Sequence, residues 1–210
     1  GVSYRPHEEY EPGDVTINVN YPEFPVQGKT IYYTSLTDNP SLSQFDAVAC
    51  LSEYAKQNTN LPDRAVIIPP GYDPTHIYPQ EKVAKQCFYA SSPDRGLNTL
   101  LEAWPTVYQL HPDATLLVTY GGTIDLPGVI NLGEAGEATM NDVYNTSDIW
   151  CHPASGGELY CMTGKKAQAA ACIPVIIRTM ALKETVARGF FVEKPEDYAK
   201  TLIEVLDMPM

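Results

Sequence analysis

Short, almost continuously apolar runs recur along this chain, and segments of helical periodicity separate most of them. The runs are VTINV (15–19), TIYYTSL (30–36), DAVACLS (46–52), AVIIP (65–69), QCFYAS (86–91), ATLLVTYG (114–121), GVINLG (128–133), DIWCHP (148–153) and IPVII (173–177). A strand with one wet face alternates apolar and polar residues, whereas a strand buried on both faces does not. The runs therefore predict parallel strands covered by helices on both sides. Helical spacing follows at 52–59, 96–111, 139–146, 160–171, 182–187 and 196–206. In 96–111, Leu97, Leu100, Leu101, Trp104, Val107 and Tyr108 share one face, and Pro105 should bend the helix or start a new turn. Strand, turn and helix in repetition give the fold class α/β, an open doubly wound parallel sheet. In such a sheet, ligands lie at the carboxyl ends of the strands.

That rule puts four loops on one edge: SSPDRG (91–96), YGG (120–122), NLGEAG (131–136) and SGGELY (155–160). In the first, Ser91, Ser92 or Asp94 can cap the following helix, and Arg95 stands beside its amino end, an arrangement suited to a diphosphate. An ordinary cap beside a solvated arginine is the plain alternative. In the last loop two glycines allow close approach of a ligand. Glu158 can accept from sugar or ribose hydroxyls, and the N–H groups of Tyr160 to Thr163 open a helix. There the alternative is a glutamate favoured by the helix dipole. Without a Walker A sequence or a GxGxxG after the first strand, a nucleoside diphosphate fits better than ATP or a dinucleotide.

Composition narrows the rest. Lys and Arg number 14 against 26 Asp and Glu, a net charge of −12, which opposes nucleic acid and anionic lipid as partners. The five cysteines, Cys50, Cys87, Cys151, Cys161 and Cys172, are scattered with no CxxC spacing. They read as buried thiols in a reducing compartment, with no metal expected. No apolar run reaches a membrane span, and residues 1–10 lack the pattern of a signal peptide, so the expected location is cytoplasmic. His7, His76 and His111 read as surface or packing residues, His152 as a strand-end histidine, and Glu8, Glu9, Glu11 and Asp14 as a solvated surface. A proline-rich link, 68–80, divides the chain, giving expected domains of 1–74 and 75–210.

The segments CFYASSPDRGLNTLLEAWPTVYQLHPDATLLVTYGG, TMNDVYNTSDIWCHPASGGELYCMTGKKAQAAACIPVI and ALKETVARG resemble the donor-binding C-terminal half of retaining glycosyltransferases of the GT-B fold, family 4 type. IYYTSLTDNPSLSQFDAVACLSEYAKQNT and VIIPPGYDPTHIYP are similar to the end of that family's N-terminal domain and its interdomain link. The resemblance implies a Rossmann-like donor domain behind a reduced N-terminal α/β remnant. It also implies transfer of a hexose from a nucleotide-diphospho-sugar to a hydroxyl acceptor with retention, without a metal or other cofactor.

Carried over residue by residue, the catalytic groups are Arg95, on the diphosphate, and Glu158, on the donor sugar. Donor contacts fall on Ser91, Ser92, Gly96, Tyr120, Gly121, Gly122, Asn131, Leu132, Gly133, Glu134, Leu159, Tyr160, Cys161, Met162, Thr163 and Lys166. Two positions depart from the family. Ala90 stands where a second basic residue is common. Lys166, about two turns into its expected helix, stands where a ribose-binding glutamate is usual, as a compensating charge or as a solvated lysine. The family's glycine-rich loop and acceptor-side histidine belong to an N-terminal stretch for which the chain has no room, so an apolar face is expected there. That face invites a homodimer or a partner subunit supplying the acceptor side. The rival readings are a non-catalytic sugar-nucleotide-binding module, one half of a split glycosyltransferase, and a sugar-nucleotide epimerase of similar architecture.

Overall fold

The computed structural model describes residues 15–20, 29–35 and 42–209. The acidic residues Glu8, Glu9, Glu11 and Asp14, His7 and the first ten residues lie outside them. The chain falls into two compact units, Gly1–Pro70 and Gly71–Met210, dividing inside the proline-rich link.

In the first unit, strands β1 (Val15–Val19), β2 (Lys29–Thr34), β3 (Ala47–Cys50) and β4 (Val66–Ile67) pair in that order, all parallel. Helix α1 (Glu53–Asn58) follows β3, its first turn capped by the Ser52 hydroxyl, which accepts from the Ala55 N–H. Tyr32, Leu42, Phe45, Val48 and Ala65 form the core of this unit.

The second unit holds β5 (Val83–Tyr89), α2 (Leu97–Leu110), β6 (Thr115–Thr119), β7 (Val129–Gly133) and α3 (Glu137–Thr146). There follow β8 (Ser147–His152), α4 (Met162–Ala169), β9 (Ile173–Ile177), α5 (Leu182–Thr185), β10 (Phe190–Val192) and α6 (Tyr198–Leu206). The sheet order is β10-β9-β8-β5-β6-β7, entirely parallel. Counted within the unit this is the doubly wound order in which the connections reverse direction between the first and fourth strands, here β5 and β8.

Alternation along each strand explains why both faces had to be apolar. Cys87, Tyr89, Ile149, Cys151, Val175 and Ile177 pack with α2 and α6 through Leu100, Trp104, Val107, Leu202 and Val205. Their neighbours Phe88, Trp150 and Ile176 join the opposite core with Val143, Tyr144, Ala167 and Leu182. The central strand β8 is buried along its whole length. The short edge strand β10, GFFVEK in sequence, is absent from the expected runs because a three-residue edge strand carries too little pattern to register. Pro105 starts no new turn: α2 runs unbroken from Leu97 to Leu110.

One half-buried cation ties two helix ends together. Lys82 Nζ donates to the carbonyls of Asn145 at 2.9 Å and Ala170 at 2.6 Å, where α3 and α4 end and carbonyls lack intrahelical partners. Removing it in Lys82→Met leaves these acceptors unpaired and should cost about 1.5 kcal/mol of stability. A urea melt of the two proteins measures this, and an unchanged midpoint would show that water replaces the lysine.

Candidate functional site

At the switch point the ends of β5 and β8 are adjacent strands, so the loops that leave them meet. The first loop turns at Gly96, which adopts φ +92° as the N-cap of α2 with no side-chain cap. The expected caps Ser91, Ser92 and Asp94 do not serve this helix. The Ser92 hydroxyl instead hydrogen-bonds the Asp94 carboxylate and, with the Arg95 charge, holds that carboxyl below the usual range. Gly96 is needed for a second reason: a Cβ there would stand on the Pro153 carbonyl, with Ala154 N at 2.9 Å. The two loops are thus in backbone contact.

Arg95 reaches across this contact. Its Nη1 lies 3.5 Å from Glu158 Oε1 and 3.5 Å from the Gly156 carbonyl, and its Nε is 3.6 Å from Asp94 Oδ2. Glu158 is 9% exposed. Gly157, at φ +81°, passes so close beneath Arg95 that a Cβ would meet its guanidinium. This turn is held from the other side by the loop after β9. The Gly157 N–H donates to Met180 Sδ at 3.0 Å, and the Ala181 N–H donates to the Glu158 carbonyl at 3.3 Å. Met180 carried no motif in the sequence and is found only by this packing.

Helix α4 begins at Met162, two residues later than its apolar pattern suggests, because Cys161 takes the left-handed conformation at φ +70°. Met162 and Thr163 therefore lie in the first turn, while Tyr160 and Cys161 precede it and are buried. The helix sits close to the sheet because Gly164 has no side chain; a Cβ would come within 2.6 Å of Trp150 Cη2. Thr163 Oγ1 donates to the Ala90 carbonyl at 2.8 Å, so Ala90, at the place of the family's second basic residue, is a buried part of the loop-to-helix tie. Lys166 is one turn into α4, not two, and its Nζ stands 5.7 Å from the centre of the Tyr144 ring.

The remaining candidates lie farther along the same carboxyl edge, after β6 and at the end of β7. Tyr120 is 49% exposed at φ +60°, and its N–H donates to the Gly133 carbonyl. Gly121 is a packing residue, since a Cβ would press on Ile124 and Val118, whereas Gly122 faces open space at φ +66°. Asn131 Oδ1 accepts from the Gly133 N–H at 2.9 Å, Leu132 packs against the core that holds Val143 and Tyr144, and Glu134 is exposed.

His152, read from sequence as a simple strand-end residue, is fully buried at the head of this site. Its ring stacks on Trp150, at 5.1 Å, and lies near the Tyr89 ring, at 6.4 Å. Nε2 is 3.3 Å from Glu158 Oε1 but out of line for a hydrogen bond, and neither ring nitrogen has a hydrogen-bond partner among the described residues. One donor atom from each of His152, Glu158 and Cys161 lies within 4.8 Å of the others, a grouping able to hold a metal ion. Burial pushes the Cys161 thiol up, and the Glu158 charge adds to this. The available signal for His152 was its place at the carboxyl end of the central strand. No spacing rule predicts its meeting with Cys161, which depends on the left-handed turn.

The fold is shared with known proteins. A point mutant of S. aureus TarM, solved with fondaparinux, alpha-GlcNAc-glycerol and UDP, superposes with a TM-score of 0.69 at 9% identity. The match covers 86% of this chain and 44% of that one. Anabaena HepE, solved with UDP-glucose, gives a TM-score of 0.64 at 15% identity over 86% of this chain and 63% of that one. In sequence, the phosphatidyl-myo-inositol mannosyltransferase of Mycobacterium tuberculosis is 27% identical over 195 residues, covering 78% of this chain and 51% of that protein. The chain has the fold of the GT-B glycosyltransferases.

The GT-B likeness extends over both units, since the structural matches cover more than the second unit alone. The chain spans about half the length of the curated GT-B relatives it matches. No protein-family model matches it. Among the described residues no helix is long and apolar enough to cross a membrane.

Proposed function

We propose that the chain binds a nucleotide-diphospho-sugar and serves transfer of its hexose to a hydroxyl acceptor with retention. The observation that carries this reading is the meeting of Arg95 and Glu158 across the β5–β8 switch point, where a doubly wound sheet takes its ligand. Arg95 supplies a planar cation for the diphosphate, beside the amino end of α4. Glu158 supplies an acceptor-only carboxylate for sugar hydroxyls. Before the donor enters, the two satisfy each other at 3.5 Å. A diphosphate would draw Arg95 away and release Glu158 for the sugar. As the bond to the leaving diphosphate breaks, Arg95 and the first-turn N–H groups of Met162 and Thr163 would meet the charge that develops.

The sequence relative is a mannosyltransferase and the structural neighbours were solved with UDP and UDP-glucose, which supports a nucleotide sugar as the ligand. A thermal-shift screen of UDP, GDP, ADP and dTDP sugars, followed by product analysis with hydroxyl acceptors, tests it. Binding of one nucleotide sugar and appearance of an α-linked product from an α-linked donor are expected. Binding without a product would leave a sugar-nucleotide-binding module; no binding by any of them would remove the reading.

The place of Lys166 on the Tyr144 ring favours a packing role over a phosphate contact. Lys166→Ala should cost about 0.5–1 kcal/mol of stability, the cation–π contribution, and should leave nucleoside diphosphate affinity within about threefold, roughly 0.65 kcal/mol. A loss of about tenfold in titration calorimetry would instead make Lys166 a compensating charge for Ala90.

A further inference from the structure

The grouping of His152, Glu158 and Cys161 shares Glu158 with the proposed donor site, and its chemistry points to a second ligand. A neutral imidazole, a carboxylate and a thiolate are the ligand types of zinc, and three protein ligands with a fourth position open are its usual set at a reactive site. The three donor atoms lie within 4.8 Å of one another. Tetrahedral zinc places such atoms about 3.3–3.8 Å apart, so movements of about 1 Å close the site. A second observation is independent of that spacing. His152 is 0% exposed, with neither ring nitrogen hydrogen-bonded, and Nε2 stands 3.3 Å from Glu158 Oε1 without the alignment of a hydrogen bond. A buried imidazole left in this condition is costly unless something binds it.

We propose that His152, Glu158 and Cys161 form a site for a thiophilic divalent cation of the zinc class, and that its occupation closes the donor site. On binding, the Cys161 thiol gives its proton to solvent, and the thiolate and carboxylate together balance the two positive charges of the ion. The ion replaces Arg95 as the counter-charge of Glu158. Arg95, whose side chain is 27% exposed, turns outward to water. Glu158, once coordinated, no longer accepts from a sugar hydroxyl. The closing effect rests on the donor reading above, whereas the metal site itself does not.

The experiment uses the reduced, metal-stripped chain and Co2+ as a spectroscopic probe. A thiolate-to-cobalt charge-transfer band should grow to saturation at one equivalent and bleach on addition of Zn2+. Cys161→Ser should abolish the band, while Cys50→Ser, in the first unit, should retain it. Glu158→Gln should weaken Co2+ binding at least tenfold, and a near-ultraviolet dichroism spectrum like that of the parent shows that each variant has folded. In parallel, saturating Zn2+ should weaken the nucleotide sugar selected by thermal shift at least tenfold in the parent. Absence of the band in the parent, or its survival in Cys161→Ser, overturns the metal site. A band that forms while nucleotide sugar binds undisturbed upholds the site but overturns the closing effect. A band in a chain that binds no nucleotide sugar upholds the site and sinks the donor reading alone.

Discussion

Gly96→Ala should destabilise the second unit by about 2–5 kcal/mol. Two costs add. An alanine at φ +92° occupies the left-handed region, worth about 1–2 kcal/mol. Its Cβ would also stand on the Pro153 carbonyl and near Ala154 N, which are backbone atoms that cannot rotate away, and overpacking of this kind costs about 1–3 kcal/mol. Gly122→Ala is the matched control, because Gly122 has φ +66° but open space around its missing Cβ. It should therefore show the conformational cost alone, about 1–2 kcal/mol. Denaturant melts of the three proteins give the comparison. Equal losses for the two variants would mean that the loops after β5 and β8 do not touch as described.

Arg95→Ala carries the largest expected effect on the proposed ligand. It removes a charge-assisted, two-pronged contact, so nucleoside diphosphate affinity should fall by about 1.5–3 kcal/mol, while affinity for the bare nucleoside should stay nearly constant. Arg95→Lys separates charge from shape: the lysine keeps the cation but loses the planar fork, and should recover only part of the loss. The change should be mild for the fold itself, since the Arg95 side chain is 27% exposed and its contact with Glu158 is 3.5 Å long. Titration calorimetry with a nucleoside diphosphate and the corresponding nucleoside decides the matter. A loss below a few-fold in Arg95→Ala would place the phosphate site elsewhere on the edge.

The sequence alone determined most of the elements, the two-sided burial of the central strands and the carboxyl edge at which a ligand is expected. In QCFY the neighbours Cys87 and Phe88 enter opposite cores, and in IWC so do Ile149 and Trp150. A strand whose successive residues are all apolar has no other stable place than between two helical layers, so local composition was enough to predict the doubly wound class. Turn chemistry was less legible. Cys161 in the left-handed conformation shortened α4 and moved Lys166 two residues nearer its start, and nothing about a cysteine announces a positive φ. Only the tertiary structure decided which loops meet. Strand order is fixed by burial of whole faces and by the crossovers, which no window of neighbouring residues contains. Placing β5 beside β8 is what brings Arg95 to Glu158. The left-handed turn at Cys161 and the loop leaving β8 then bring a thiol, a carboxylate and a buried imidazole together from residues that sequence spacing had left unrelated.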